Sequence, residues 1–238
     1  MSTLLSPGDP MLPALHVEPG GGAVHVDLGP VVLSKASVSE EDNCAYVLTC
    51  AATGAQLLVD AADDAPAVLA LLEEAAHAAG RAAAAPVGVL TTHGHQDHHR
   101  ALPEVLAATG TPCLVGRADA GDLPVAADRL LDHGDIIEVG ELVVAVVHLR
   151  GHTPGSVALV VPGAAPHPTL ALTGDSLFPG GVGNTWKDPD RFASLLADVT
   201  ERLFAVFGDD TLVQPGHGDG TTLGAERGSL QEWRARGW

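Results

Sequence analysis

The sequence predicts an α/β protein in which one domain contains two β-sheets covered by helices. The first part of the chain has short strand-like runs separated by turn residues, and the remainder intermixes strands with amphipathic helices, twice over. No repeat of fixed period and no low-complexity linker divides the 238 residues. Hydrophobic residues make up 46% of the chain, which is enough for a substantial core.

Strands are predicted where a short apolar run is bounded by glycine, proline, asparagine or aspartate. In chain order, the predicted strands are 24–28, 31–34, 45–50, 56–59, 87–91, 112–115, 136–139, 141–148, 157–161, 169–173 and 211–214. Apolar residues at helical spacing predict helices over 66–79, 100–108, 188–204 and 222–238. Asp63 or Asp64 is the expected cap of the first helix, and Asp188 followed by Pro189 is the expected start of the third.

The N-terminal residues 1–22 are rich in proline and glycine, and we expect them to form a flexible arm. Residues 23–238 are then expected to form a single domain. No run of 18 apolar residues and no signal-peptide layout is present, so the expected location is the cytoplasm.

The charge of the chain limits its partners. Lysine and arginine number 12 against 30 aspartates and glutamates, which gives a formal net charge of −18. Such a surface repels phosphates, so we expect no nucleic-acid partner and no anionic membrane partner. The three cysteines have no CxxC spacing, which argues against a disulfide framework and against a thiolate zinc site.

A run of potential metal ligands follows the predicted strand 87–91. Between Thr91 and Arg100, the chain reads Thr-Thr-His-Gly-His-Gln-Asp-His-His-Arg. A turn that leaves a strand is free of the sheet's hydrogen-bond ladder, so its side chains can be aimed at one point. This motif offers four candidate ligands, which are His93, His95, Asp97 and His98.

Three later positions share the same local design, in which a strand ends in a glycine-containing turn that holds a metal-capable side chain. They are His152 in Gly-His-Thr-Pro-Gly, Asp175 in Gly-Asp-Ser and His217 in Pro-Gly-His-Gly. Glycine permits unusual backbone angles and a close approach of the chain to a centre. If these strand ends share one edge, seven ligands converge there.

Seven side chains are too many for one tetrahedral ion but suit two ions that share a bridging carboxylate. Imidazole and carboxylate donors fit zinc, and iron and manganese are the alternatives. The sequence therefore predicts a cofactor of two divalent metal ions.

These motifs resemble the metallo-β-lactamase superfamily, and within it the short bacterial glyoxalase II-like hydrolases. The segments 43–46, 151–155, 174–178, 215–218 and 221–226 support the resemblance, which extends from about Ala23 to the C-terminus. It implies a four-layer αββα sandwich. It also implies one ion on His93, His95 and His152, a second on Asp97, His98 and His217, and Asp175 as the bridge.

The resemblance further implies a metal-dependent hydrolase in which a hydroxide formed between two ions attacks the acyl bond of a small molecule, with a thioester as the preferred bond. Asp175 and Asp97 are the candidate catalytic residues, and Asp97 is the one that would also handle a proton. Asp60 would orient a histidine, unless it is a simple turn carboxylate. Lys187 would anchor a substrate carboxylate, unless it is only a surface charge.

Other functions share much of this pattern. A mononuclear-iron persulfide dioxygenase-like enzyme and a lactonase are the nearest alternatives, and a non-catalytic metal-binding module is an alternative from another class. Few residues follow His217, and the loop 180–187 lacks the arginine expected in the short bacterial forms. The identity of the thiol carrier therefore stays open at this point.

Overall fold

Two mixed β-sheets packed face to face form the centre of the computed structural model, which describes residues 3–6, 8–9 and 11–237. Strands of the first sheet lie side by side in chain order, antiparallel from β2 to β5 and parallel from β5 to β8. They are β1 (Thr3–Leu5), β2 (Val24–Asp27), β3 (Val31–Ser37), β4 (Cys44–Cys50), β5 (Gln56–Val59), β6 (Pro86–Thr91), β7 (Cys113–Gly116) and β8 (Arg129–Leu131).

The second half of the chain supplies the remaining strands. They are β9 (Ile136–Val139), β10 (Leu142–His148), β11 (Val157–Val161), β12 (Leu170–Gly174), β13 (Leu177–Phe178), β14 (Gly181–Val182), β15 (Leu212–Pro215) and β16 (Thr221–Thr222). The second sheet has the order β16-β15-β12-β11-β10-β9, in which only β12 and β15 are parallel. The pair β13–β14 forms a separate hairpin. Every predicted strand is present, with small shifts at the ends.

Helices cover the outer faces of both sheets. They are α1 (Ala65–Ala78), α2 (Leu102–Thr109), α3 (Pro189–Val199), α4 (Leu223–Arg227) and α5 (Leu230–Arg236). One apolar core lies between the sheets, a second joins α1 and α2 to the first sheet, and a third joins α3 and α5 to the second sheet. This arrangement confirms the four-layer αββα sandwich. Among the described helices, none is long and apolar enough to cross a membrane.

Side-chain caps explain where two of the helices begin. The Asp64 carboxylate accepts a hydrogen bond from the Ala67 amide at the start of α1. The Asp188 carboxylate accepts from the amides of Asp190 and Arg191 at the start of α3. The single helix predicted over 222–238 is instead two short helices, because Gly228 ends α4 and the chain restarts at Ser229.

The described part of the N-terminal segment is packed onto the sandwich. β1 pairs in parallel with β2, and Leu12 and Leu15 belong to the core between the sheets. The Gln214 amide donates to the Pro13 carbonyl at 3.0 Å. The structure therefore differs from the flexible arm predicted over 1–22, because these leucines are buried in the core between the sheets. Residues 1, 2, 7 and 10 lie outside the described residues.

This packing predicts that truncation of a buried leucine in the N-terminal segment lowers the free energy of unfolding substantially. In a flexible arm the same substitution would have little effect. Leu15 is 1% exposed, so Leu15→Ala should lower the free energy of unfolding by about 2–5 kcal/mol. Met11, in the same segment, is 54% exposed, and Met11→Ala should change it by less than about 0.5 kcal/mol. Urea unfolding with a chelator present measures both values. Equal, small effects would mean that the segment does not pack.

Candidate metal centre

The structure brings all seven predicted ligands together at one edge of the sandwich. Each ligand lies in a turn that follows a strand, and strands from both sheets contribute. His93, His95, Asp97 and His98 follow β6, His152 lies between β10 and β11, Asp175 follows β12, and His217 follows β15. Because strands of both sheets end here, side chains that are far apart in the chain lie close together outside the regular hydrogen bonding of the sheets.

The first ligand set consists of His93, His95 and His152. The Nδ1 atom of His95 lies 3.0 Å from Nε2 of His93 and 2.9 Å from Nε2 of His152. Nitrogens that each lie about 2.1 Å from one tetrahedral ion are roughly 3.4 Å apart, so these separations are close to those of a bound ion's ligands. Three imidazoles therefore face one point.

The second ligand set consists of Asp97, His98 and His217. Nε2 of His217 lies 3.2 Å from Nε2 of His98 and 3.3 Å from Oδ2 of Asp97. Nε2 of His98 lies 3.6 Å from the same carboxylate oxygen. Two imidazoles and one carboxylate thus face a second point, beside the first.

Asp175 lies between the two sets. Its Oδ2 atom is 3.6 Å from Nε2 of His152 and 3.5 Å from Nε2 of His217. Its Oδ1 atom is 3.5 Å from Nε2 of His98 and is buried without a hydrogen-bond partner among the described residues. A buried carboxylate oxygen without a donor is costly, and a cation at this position would satisfy it. The carboxylate is placed to bridge the two sets.

Hydrogen bonds on the outer side of two rings determine which nitrogen faces inward. Nδ1 of His152 lies 2.8 Å from the Asn184 carbonyl, and Nδ1 of His217 lies 2.9 Å from the Glu41 carbonyl. A carbonyl can only accept, so Nδ1 carries a proton in both rings and Nε2 is the nitrogen that faces the ligand sets. Outer partners of this kind orient metal-binding histidines.

The predicted role of Asp60 as an orienting residue agrees with its contacts. Asp60 is buried, and its Oδ2 atom lies 3.0 Å from Nδ1 of His98. The same carboxylate accepts hydrogen bonds from the amide and the hydroxyl of Thr92, at 2.7 and 2.8 Å. Asp60 therefore joins the end of β5 to the ligand turn after β6.

The two sets differ in the protonation that their surroundings favour. Burial holds the pKa of His93 well below its usual range and lowers that of His152 to about 4. Burial also opposes the charged form of His98, but the carboxylates of Asp175 and Asp60 beside its ring outweigh this effect and raise the pKa of His98 to about 10. The hydrogen bond to His217 holds the pKa of Asp97 well below its usual range. A cation at the second set would therefore displace protons.

Two orienting residues are missed by sequence reasoning. Asp119 is fully buried in the turn after β7, and its carboxylate accepts from the amides of Gly94 and Gly155 and from the hydroxyl of Thr153. It thereby ties the ligand turn after β6 to the turn that holds His152. Asn43 is also buried and donates from Nδ2 to Oδ2 of Asp97 at 3.0 Å. Asp119 has no local motif that would have singled it out, and Asn43 belongs to the segment 43–46 that supports the resemblance, but nothing in that segment indicates a contact with Asp97.

Lys187 is not brought into the ligand cluster. Its side chain is exposed and makes no hydrogen bond or ion pair with another described residue. The loop that holds it does reach the centre, because the preceding residue, Trp186, contacts His95 and His152 with ring centroids 5.4 and 5.3 Å apart. The proposed role of Lys187 as a substrate anchor stays a prediction.

Fold and ligand set together define a class, the αββα sandwiches that gather histidine and aspartate side chains where the strands of both sheets end. A family model described as the metallo-beta-lactamase superfamily matches residues 42–217. The chain belongs to this superfamily. A hydroxyacylglutathione hydrolase of Fuscovulum blasticum is 36% identical over 177 residues, which cover 74% of this chain and 63% of that protein. The chain thus spans less than two thirds of this relative's length.

Solved structures with the same fold are also similar. ETHE1 from Myxococcus xanthus has a TM-score of 0.68 and 24% identity, and the match covers 85% of this chain and 84% of that chain. TTHA1623 in a di-iron-bound form has a TM-score of 0.63 and 29% identity, covering 80% of this chain and 95% of that chain. At 24% identity, the first of these comparisons supports the fold alone.

The contacts of Asp60 predict a selective effect on metal binding. Asp60→Asn removes the negative charge that faces Nδ1 of His98, so the affinity for an ion at the second ligand set should fall about 10- to 100-fold. Asp63→Asn changes an exposed carboxylate that pairs with Arg100 and should leave the affinity unchanged. Competition with a chelator measures both. The orienting role is refuted if the two variants bind zinc equally well.

The contacts of Asp119 predict a defect in both stability and metal binding. Asp119→Asn turns one acceptor oxygen into a donor and leaves a buried amide or hydroxyl unpaired, which should cost about 1–3 kcal/mol of unfolding free energy. Asp122→Asn, on the exposed side of the same turn, is the matched control. Urea unfolding and zinc titration of both variants test this, and a stable Asp119→Asn protein with normal zinc affinity would contradict it.

Proposed function

We propose that this protein hydrolyses an acyl bond of a small molecule with two divalent metal ions, and that the bond is a thioester. The observation that supports this most directly is the position of Asp175 between two complete ligand sets. The 36% sequence identity with a hydroxyacylglutathione hydrolase supports a thioester as the bond that is cleaved. Divalent ions at these sets would lower the pKa of a bound water to about 7 and polarise the acyl carbonyl.

The protein's own residues have distinct parts in this proposal. His93, His95 and His152 would hold one ion, and Asp97, His98 and His217 the other, while Asp175 would contact both. Asn43 donates to Asp97 and so keeps that carboxylate in place. The depressed pKa of Asp97 makes it a weak base, so we assign it the role of orienting the attacking water by accepting a hydrogen bond.

A thioester suits the groups that surround the ligand sets. A thiolate leaves as a stable anion and needs no strong general acid, whereas an amine or alkoxide leaving group needs a proton donor. The buried histidines point their inner nitrogens at the ligand points, and their outer nitrogens are engaged by Asn184, Glu41 and Asp60. They are thus placed as ligands rather than as proton donors to a leaving group.

Zinc is the metal that we propose for the protein, with iron as the alternative. The donor set of imidazoles and carboxylates fits both metals. The di-iron form of TTHA1623 supports iron and supports two ions. A persulfide dioxygenase-like reaction needs only one iron, and the complete second set of Asp97, His98 and His217 favours two ions. We also propose that the protein acts in the cytoplasm and binds neither nucleic acid nor membranes.

Replacement of the bridging carboxylate should remove both metal and activity. Asp175→Ala should lose at least one ion per chain and lower thioester hydrolysis by at least about a hundredfold, because both ligand sets lose a donor. Glu104→Ala, an exposed carboxylate on α2, is the control. Metal analysis and a thioester assay give the two readouts. Turnover that persists after Asp175→Ala and metal loss would refute the mechanism.

A substrate panel separates the alternatives. The zinc-loaded and iron-loaded wild-type protein should cleave thioesters faster than lactones or phosphodiesters, and should consume no oxygen with a persulfide. A preference for lactones would identify a lactonase. Oxygen consumption with one iron per chain would identify the dioxygenase-like enzyme, and tight metal binding without any turnover would identify a metal-binding module.

A further inference from the structure

Trp186 is a large apolar side chain that stays exposed beside the metal centre. It is 52% exposed, although its ring contacts two of the three imidazoles of the first ligand set. Its ring is tilted by only 29° from that of His152 and stands at 74° to that of His95. Any group that lies over the first ligand set is therefore a near neighbour of this indole.

The backbone holds Trp186 in a conformation that side chains rarely adopt. Trp186 has a φ of 54° and Lys187 a φ of 60°, so two successive residues are left-handed. Strain of this kind persists only where the surroundings enforce it, and it is common at functional sites. Here the Asn184 side chain accepts from the Trp186 amide at 2.8 Å, while the Asn184 carbonyl binds His152. One residue thus positions both the indole and a metal ligand.

Arg191 fixes the ring from the side of α3. Its guanidinium carbon lies 4.4 Å from the centroid of the Trp186 ring, a cation–π contact. The same guanidinium donates from Nε to the Gly151 carbonyl at 2.8 Å and from Nη2 to the His152 carbonyl. Arg191 lies in the first turn of α3, which Asp188 caps. Contacts on both sides thus hold the indole in one orientation beside the first ligand set.

A cavity beside the ligand sets has apolar side chains in its wall. It has a volume of about 370 Å³ and is lined by His152, Asp175, Phe178, Pro179 and Val182. The ring of His152, which lines this cavity, also contacts the indole of Trp186. An acyl group whose carbonyl lies at the ligand sets has room here. Apolar groups gain from burial against such walls, and a flat ring gains additionally from packing on an indole.

We propose that Trp186 is a specificity-determining residue that contacts the acyl group and selects flat, apolar acyl groups over small ones. This inference rests on the proposed function, since it concerns the acyl side of the same site. In this arrangement, the carbonyl lies at the ligand sets and the rest of the acyl group packs on the exposed part of the indole. No bond to Trp186 forms or breaks.

The test compares how phenylacetate and acetate, the acids released from an aryl and a small thioester, bind to the zinc-loaded protein. Isothermal titration should show that the wild type binds phenylacetate at least about tenfold more tightly than acetate. Trp186→Ala should reduce this ratio about tenfold, and Trp186→Phe should retain most of it. Val206→Ala removes an exposed apolar side chain elsewhere and should leave the ratio unchanged. Zinc content is measured for every variant.

Rates with phenylacetyl and acetyl thioesters of N-acetylcysteamine give the second readout. The ratio of their kcat/KM values should fall in Trp186→Ala and be mostly retained in Trp186→Phe, as expected for the binding ratio. A wild type without a preference, or an unchanged ratio in Trp186→Ala, overturns the inference. Loss of zinc in Trp186→Ala with the ratio intact would show that the indole only supports His152. Selective binding without thioester cleavage would refute the proposed reaction but not the role of Trp186.

Discussion

The metal centre depends on one constraint, which is that several ligand nitrogens and oxygens face one another at the end of the sandwich. Nε2 of His98 and Nε2 of His217 are 3.2 Å apart, and Asp175 Oδ1 is buried without a donor. Such an arrangement is unfavourable unless protons or cations lie between the donors. Hydrogen bonds from the surrounding structure must therefore hold these side chains in place.

Buried carboxylates supply most of this restraint. Asp60 fixes His98 and Thr92 at the end of the first sheet, and Asp119 joins the two turns that hold the first ligand set. The inner ends of the two sheets are also connected directly, since the Tyr46 hydroxyl donates to the Pro215 carbonyl at 2.6 Å. The bonds of Asp119 link two turns, and those of Asp60 link the end of β5 to a turn, so both carboxylates control the spacing of the ligands.

The net charge of the chain indicates which ligands its surface attracts, which the geometry of the site alone does not show. The chain has a net charge of −18, so its surface attracts divalent cations and repels polyanions. Arg191, which lies beside the site, is engaged by the Gly151 and His152 carbonyls and by the indole of Trp186. A substrate recognised through apolar contacts fits these surroundings better than one recognised through several phosphates.

The sequence by itself determined the ligands and the layers of the fold. Each ligand lies in a short motif just past a strand end, and each of these motifs contains a glycine, so the signal is local and can be read along the chain. Asp119, Asn43 and Trp186 were decided by the tertiary structure alone, because their roles arise from contacts across distant turns. The packing of the N-terminal segment was likewise decided by the tertiary structure. Its proline- and glycine-rich composition is typical of a loop, and Leu15 is buried only because the folded core lies beside it.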